Sequence, residues 1–168
     1  MTKDGIGHAQ HFRNVFKDFR KYMRVIQVND SLYQFVPDKE YKEVRVHGYE
    51  NIYSPEQMKS RTLLPHKEFL IRFSLATISK CIILIGGTAD SLNARGECHA
   101  LNTVKSCWDA YKLPSLNTPR CRHSAVAMNN QVYVVSGHDG DRYFNSIEVL
   151  SVRVNGSGWV SWVSKQGW

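Results

Sequence analysis

The sequence predicts an all-β chain: about three stacked four-stranded antiparallel sheets, the first incomplete, behind a short N-terminal α-helix. Three observations carry that expectation. From Val25 onward the apolar residues fall in short runs bounded by turn residues. A strand–turn–strand unit is written twice, with its copies at an offset of 50. Its second strands, Ile82–Ile85 and Val132–Val135, are apolar at consecutive positions, which suits sheets covered on both faces.

Taken in order, residues 8–23 read as the helix. Phe12, Val15, Phe16, Phe19 and Met23 recur at helical spacing, with Arg13, Lys17, Arg20 and Lys21 between them. Val25–Val28 and Leu32–Phe35 read as short strands followed by Pro37-Asp38, and Tyr41–Val46 alternates polar with apolar. His47 to Lys67 shows little periodicity and holds Gly48, Pro55 and Pro65, so it reads as a long loop. Phe73–Gly87 then aligns without a gap on His123–Gly137. Leu75 falls on Ala125, Ile78 on Met128, Ile82 on Val132, Leu84 on Val134 and Ile85 on Val135. Both copies make a hairpin around a polar two-residue turn, Ser79-Lys80 or Asn129-Asn130. A polar loop follows, then an apolar stretch (98–104 or 147–154), then Trp108 or Trp159. Four short strands at this period cannot bury both faces alone. Neighbouring units must stack on them, which is the logic of a propeller blade.

Composition narrows the class. At 168 residues and 42% hydrophobic, the chain can build a core and is no disordered tail. It has no eighteen-residue apolar run, so no membrane-spanning helix is expected, and Met1–His8 lacks the apolar stretch of a signal peptide. Cys81, Cys98, Cys107 and Cys121 show neither a C-x-x-C pair nor zinc-finger spacing. They read as reduced, mostly buried thiols of a cytoplasmic protein. The net charge of +7 is uneven, because residues 1–24 hold six basic and two acidic residues. A broad cationic face is therefore not expected, and nucleic acid could be reached only through residues 1–24.

At the repeated unit the chain resembles the kelch-repeat family of β-propellers. Kelch blades carry an apolar run ending in two glycines, then a tyrosine, then a tryptophan. Ile82-Ile-Leu-Ile-Gly86-Gly87 matches the first element in full. Val132-Tyr-Val-Val-Ser136-Gly137 matches it with Ser136 for the first glycine, and Arg122-His-Ser-Ala-Val-Ala and Asn145-Ser-Ile-Glu-Val are close to the usual wording. Trp108 and Trp159 match the tryptophan, while the tyrosine is replaced in both copies. Residues 31–46 resemble the second half of an earlier blade, with Phe35 and Tyr41 in the Tyr and Trp roles. The resemblance implies a partial kelch-type propeller. The expected division is 25–68 as a partial blade and long loop, and 69–119 and 120–168 as one blade each, with residues 1–24, which the resemblance does not reach, as a basic amphipathic helix or linker. Gly86, Gly87 and Gly137 are then structural, ending strands where the backbone needs positive φ or close approach. Trp108 and Trp159 are structural too, packing between blades. Kelch rings close with five to seven blades, so an arc of about three is expected to be a fragment, or to be covered by another subunit or a second copy.

Candidate sites are weighed against plainer roles. His8 and His11 could share a metal, but two ligands do not make a site, and no metal or cofactor is expected. His99, His123 and His138 read as structural or partner-contacting. Asp139-Gly-Asp141 reads as a tight turn in which the carboxylate bonds its own backbone, not as an acid–base pair or calcium site. Gly86-Gly87 is not a phosphate loop, and no nucleophile-elbow or zinc-protease motif occurs. The loops Thr88–Glu97 and His138–Asn145 remain. There Arg95, His138, Asp139, Arg142 and Tyr143 mix charge with an aromatic ring, a composition suited to contacting a protein partner. The expected function is a non-catalytic scaffold or adaptor that binds a protein through loops on one propeller face, in the cytoplasm or on the cytoskeleton. The alternatives are an oxidase-, epimerase- or lyase-type kelch enzyme fragment, or a basic subunit of a cytoskeletal or nucleoprotein assembly.

Overall fold

A computed structural model describes residues 22–90, 92–109, 113–151 and 162–165. The helix expected over 8–23 lies, but for its last two residues, outside the described residues. Twelve strands among the described residues form three antiparallel sheets of four, each a meander in chain order. Sheet 1 holds β1 (Arg24–Val28), β2 (Ser31–Asp38), β3 (Glu43–Glu50) and β4 (Lys59–His66). Sheet 2 holds β5 (Ser74–Ile78), β6 (Cys81–Thr88), β7 (Ala94–Asn102) and β8 (Cys107–Trp108). Sheet 3 holds β9 (Ser124–Met128), β10 (Gln131–Val135), β11 (Ile147–Ser151) and β12 (Val163–Lys165). The first strands lie side by side, β5 between β1 and β9, as the inner strands of neighbouring blades do. Among the described residues no helix is long and apolar enough to cross a membrane.

The first sheet is complete, which corrects the sequence reading. The stretch read as a long loop carries the end of β3 and all of β4. The first hairpin, β1–β2, is the repeated unit itself, not the second half of a blade. Val28 pairs with Ser31, Ile78 with Cys81 and Met128 with Gln131, so each hairpin closes on two residues. Asn29, Ser79 and Asn129 begin these turns at φ 54, 53 and 52, the left-handed start that matches strand twist.

Alternation along the second strands sorts the core. Ile82 and Leu84 pack with Phe35, Val44, Val46 and Leu63 of sheet 1. Ile83 and Ile85 pack with Val132, Val134 and Leu150 of sheet 3. Every residue of β6 is buried, which explains the unbroken apolar run. Among the described residues no other sheet packs on the opposite face of sheet 3. Val126 and Val163 on its other face are exposed, flanking Tyr133 and Val149 in one cross-strand row.

Candidate functional site

The loops between second and third strands emerge at one end of the stack, and an aspartate organises each. Asp38 Oδ1 accepts the N–H groups of Glu40 and Tyr41. Asp90 Oδ1 accepts those of Leu92 and Asn93, and Asp139 Oδ1 those of Asp141 and Arg142. A carboxylate receiving two backbone donors fixes a tight turn. The N–H of Asn93 leads in holding the Asp90 carboxyl far below its ordinary range, and that of Arg142 lowers Asp139 in the same way. The Asp139 carboxylate is thus engaged with its own loop and the Arg142 guanidinium, at 3.2 Å.

These rigid turns present apolar tips. Tyr41 is 61% exposed, Leu92 75% and Tyr143 87%. The Tyr143 ring leans on His138, with centroids 5.4 Å apart, and His138 rests against the Cys121 sulfur. Arg45 sits over the Tyr41 ring. The loops of sheets 2 and 3 abut: a Cβ on Gly140 would lie 2.5 Å from the Leu92 carbonyl oxygen. Arg95, paired with Glu68 at 2.8 Å, lines a cleft shared with Lys39, Lys42 and Lys67. The structure therefore gathers His138, Asp139, Arg142 and Tyr143 in one loop and sets Arg95 on the neighbouring sheet.

The residues read as structural stand where strands and sheets crowd. Gly86 has φ +55, and a Cβ there would lie 2.6 Å from the Arg120 carbonyl oxygen on the segment entering sheet 3. Gly87 and Gly137 approach the carbonyls of Ile71 and Cys121 in the same way within their own units. Trp108 lies at the seam of sheets 1 and 2, edge-on to Phe35, its indole N–H donating to the Leu64 carbonyl. In sheet 3 the equivalent ring is Trp162, buried, with its N–H on the Pro114 carbonyl. Trp159, assigned that place from spacing, lies outside the described residues.

Two polar clusters escaped the sequence reading. Arg120 and Glu148, both fully buried, pair at 2.7 Å. Glu148 also accepts the N–H groups of Asn117 and Thr118, while Arg120 donates to the carbonyls of Ser136, Ser146 and Thr118. Asn145-Ser-Ile-Glu-Val holds Glu148, but nothing in that wording names its partner. At the other seam His66, His99 and Asp109 converge, far apart in the chain and without motif spacing.

Residues 119–155, which contain Arg120 and Glu148, match the Kelch motif. Kelch-like protein 24a of Danio rerio is 29% identical over 102 residues, which cover 60% of this chain and 16% of that protein. The chain therefore carries a kelch motif in sheet 3. The solved structure titled "Structure of YjhT" superimposes with a TM-score of 0.64 at 13% identity, covering 86% of this chain and 45% of that one. That likeness supports the fold alone. The chain thus spans less than half the length of either protein.

Proposed function

We propose that the chain is a non-catalytic part of a kelch propeller that binds a protein partner through the face carrying the loops between second and third strands. One observation carries the reading. Leu92 and Tyr143 stand almost fully exposed on adjoining, internally braced loops. Large apolar groups on a rigid scaffold lose little conformational freedom on binding, so they suit interface anchors. Lys39, Lys42 and Lys67 border the cleft beside them, and Arg142 stands on the same loop as Tyr143. The favoured partner is therefore an acidic segment with an apolar anchor of its own.

The test compares affinity capture by the wild-type chain, by Leu92→Ser and by the double variant Arg142→Glu, Tyr143→Ala. All three sites are exposed, so each thermal midpoint should stay within a degree or two of wild type. Proteins bound by the wild type should fall at least about tenfold on the double variant, as expected when an anchor is lost. Capture unchanged in both variants would rule this face out.

A further inference from the structure

The geometry points to a divalent transition-metal site, of the zinc type, formed by His66, His99 and Asp109 at the seam between sheets 1 and 2. His66 ends β4, His99 lies in β7, and Asp109 follows β8. One donor atom from each residue lies within 4.8 Å of the others. Ligands about 2.1 Å from a tetrahedral zinc stand roughly 3.4 Å apart, so side-chain rotations of about 1 Å would close the set.

Each ring is already oriented. The His66 Nδ1 faces the Glu68 carbonyl at 3.4 Å, which directs Nε2 away from that backbone. This is how a second hydrogen bond fixes a ligating imidazole. The two imidazole centroids are 4.2 Å apart, and Trp108 packs edge-on against His66 at 4.9 Å. The His99 Nδ1 is 3.1 Å from an Asp109 carboxylate oxygen. Its Nε2 is buried and makes no hydrogen bond among the described residues. Two facing imidazoles repel when both are protonated, whereas two neutral ones beside a carboxylate offer lone pairs and negative charge to one cation. The mixed nitrogen and oxygen set suits zinc or cobalt better than calcium or magnesium, which take oxygen ligands.

A cleft of about 470 Å³, bordered also by Cys107, opens onto the cluster and leaves room for a water in the fourth position. A metal there would tie sheet 1 to sheet 2. At the next seam, Glu148 occupies the strand position of His99: Leu84 pairs with His99 as Val134 pairs with Glu148. The Arg120–Glu148 pair fastens that seam, and the metal would fasten this one.

Titrating the metal-free full chain with Co²⁺, followed by visible absorption, tests the site. One equivalent should bind, and Zn²⁺ should displace it and raise the thermal midpoint. His99→Gln and Asp109→Asn should each weaken binding about 10- to 100-fold, while a His8→Gln, His11→Gln double variant binds like wild type. Asp109 is half-exposed, and an asparagine can still accept the Ala100 N–H. That variant therefore keeps the fold if His99→Gln does not. Absence of cobalt binding, binding unchanged in Asp109→Asn, or binding lost in the His8, His11 variant would each overturn the site.

Discussion

The two seams of this stack are the same joint made twice with different chemistry. In register, His99 sits where Glu148 sits, on the third strand opposite Leu84 or Val134. Along the connecting segments, fifty residues separate Leu70 from Arg120 and Phe73 from His123. The seam between sheets 2 and 3 pairs a guanidinium with a carboxylate, both fully buried. The seam between sheets 1 and 2 fills the same places with Leu70, two imidazoles tilted against each other and a half-exposed carboxylate beside an open cleft. Equivalent backbone geometry therefore does not dictate equivalent electrostatics. What it dictates is a polar third-strand position facing the incoming connection, met by backbone N–H groups at Glu148 and by the His66 ring at His99.

The largest contrast should come from the acids and bases themselves. Glu148→Ala leaves the Arg120 charge buried without its counter-ion, and also strands the N–H groups of Asn117 and Thr118. The cost should be about 3–5 kcal/mol, as for other broken buried pairs. At the equivalent place, His99→Ala should cost only about 1 kcal/mol, because its hydrogen-bond partner Asp109 is half-exposed and can be solvated instead. Urea denaturation of both variants in metal-free buffer measures the difference. Equal midpoints would mean that the two seams are fastened alike, and the comparison would fail.

Gly86 and Ser136 sharpen the same contrast from the backbone side. Both hold positive φ, 55° and 61°, and each stands at the end of a second strand. Only at Gly86 does the next sheet's connection press in, with the Arg120 carbonyl where a Cβ would go. Gly86→Ala should therefore cost about 3 kcal/mol through overpacking against a backbone atom that cannot rotate away. Ser136→Ala, already strained in the same way, should stay within about 0.5 kcal/mol. Chemical denaturation separates the two. A small effect at Gly86 would show that the seam yields.

Much of this was legible in the sequence wherever the information is local. The hairpins of sheets 2 and 3, their two-residue turns and the doubly buried run Ile82–Ile85 follow from period and polarity. Sheet 1 was misread because Val36-Pro37 occupies the register of Gly86-Gly87, which removes the sign that marks the unit. Strand β4 was missed for a related reason: it contains Pro65 and pairs through a bulge at Val44–Val46, so its alternation is broken. Tryptophan spacing pointed to Trp159, which lies outside the described residues; the ring described at this seam is Trp162. Loop chemistry was readable at Asp139-Gly-Asp141, whose turn has the carboxylate-to-backbone bonds expected of it. The clusters at the seams were not readable, because Arg120 meets Glu148 only when the entering segment folds back on the third strand of its own unit, and His66 reaches His99 and Asp109 only once sheets 1 and 2 stack.

The smallest of the three effects concerns acid. Phe73 and His123 occupy equivalent positions just before the first strand of sheets 2 and 3, each against the glycine that ends the next strand. His123 is buried, and neither ring nitrogen has a hydrogen-bond partner among the described residues. Burial, with the Arg120 charge adding to it, pushes its pKa from 6.5 down to about 4. Between those values the unfolded chain takes up a proton that the folded chain refuses. Stability from this residue is therefore complete above pH 6.5 and is lost as pH falls toward 4, by roughly 2–3 kcal/mol. His66, whose pKa burial also lowers, adds a loss of the same sign at the other seam. His123→Phe copies the solution used at Phe73 and should flatten most of the slope, leaving the part due to His47, His66 and the carboxylates. Unfolding free energies of wild type and variant at pH 7, 5.5 and 4.5 decide it. Parallel curves would show that the buried imidazole has found a way to ionise, and that the seam between sheets 2 and 3 is wetter than its packing implies.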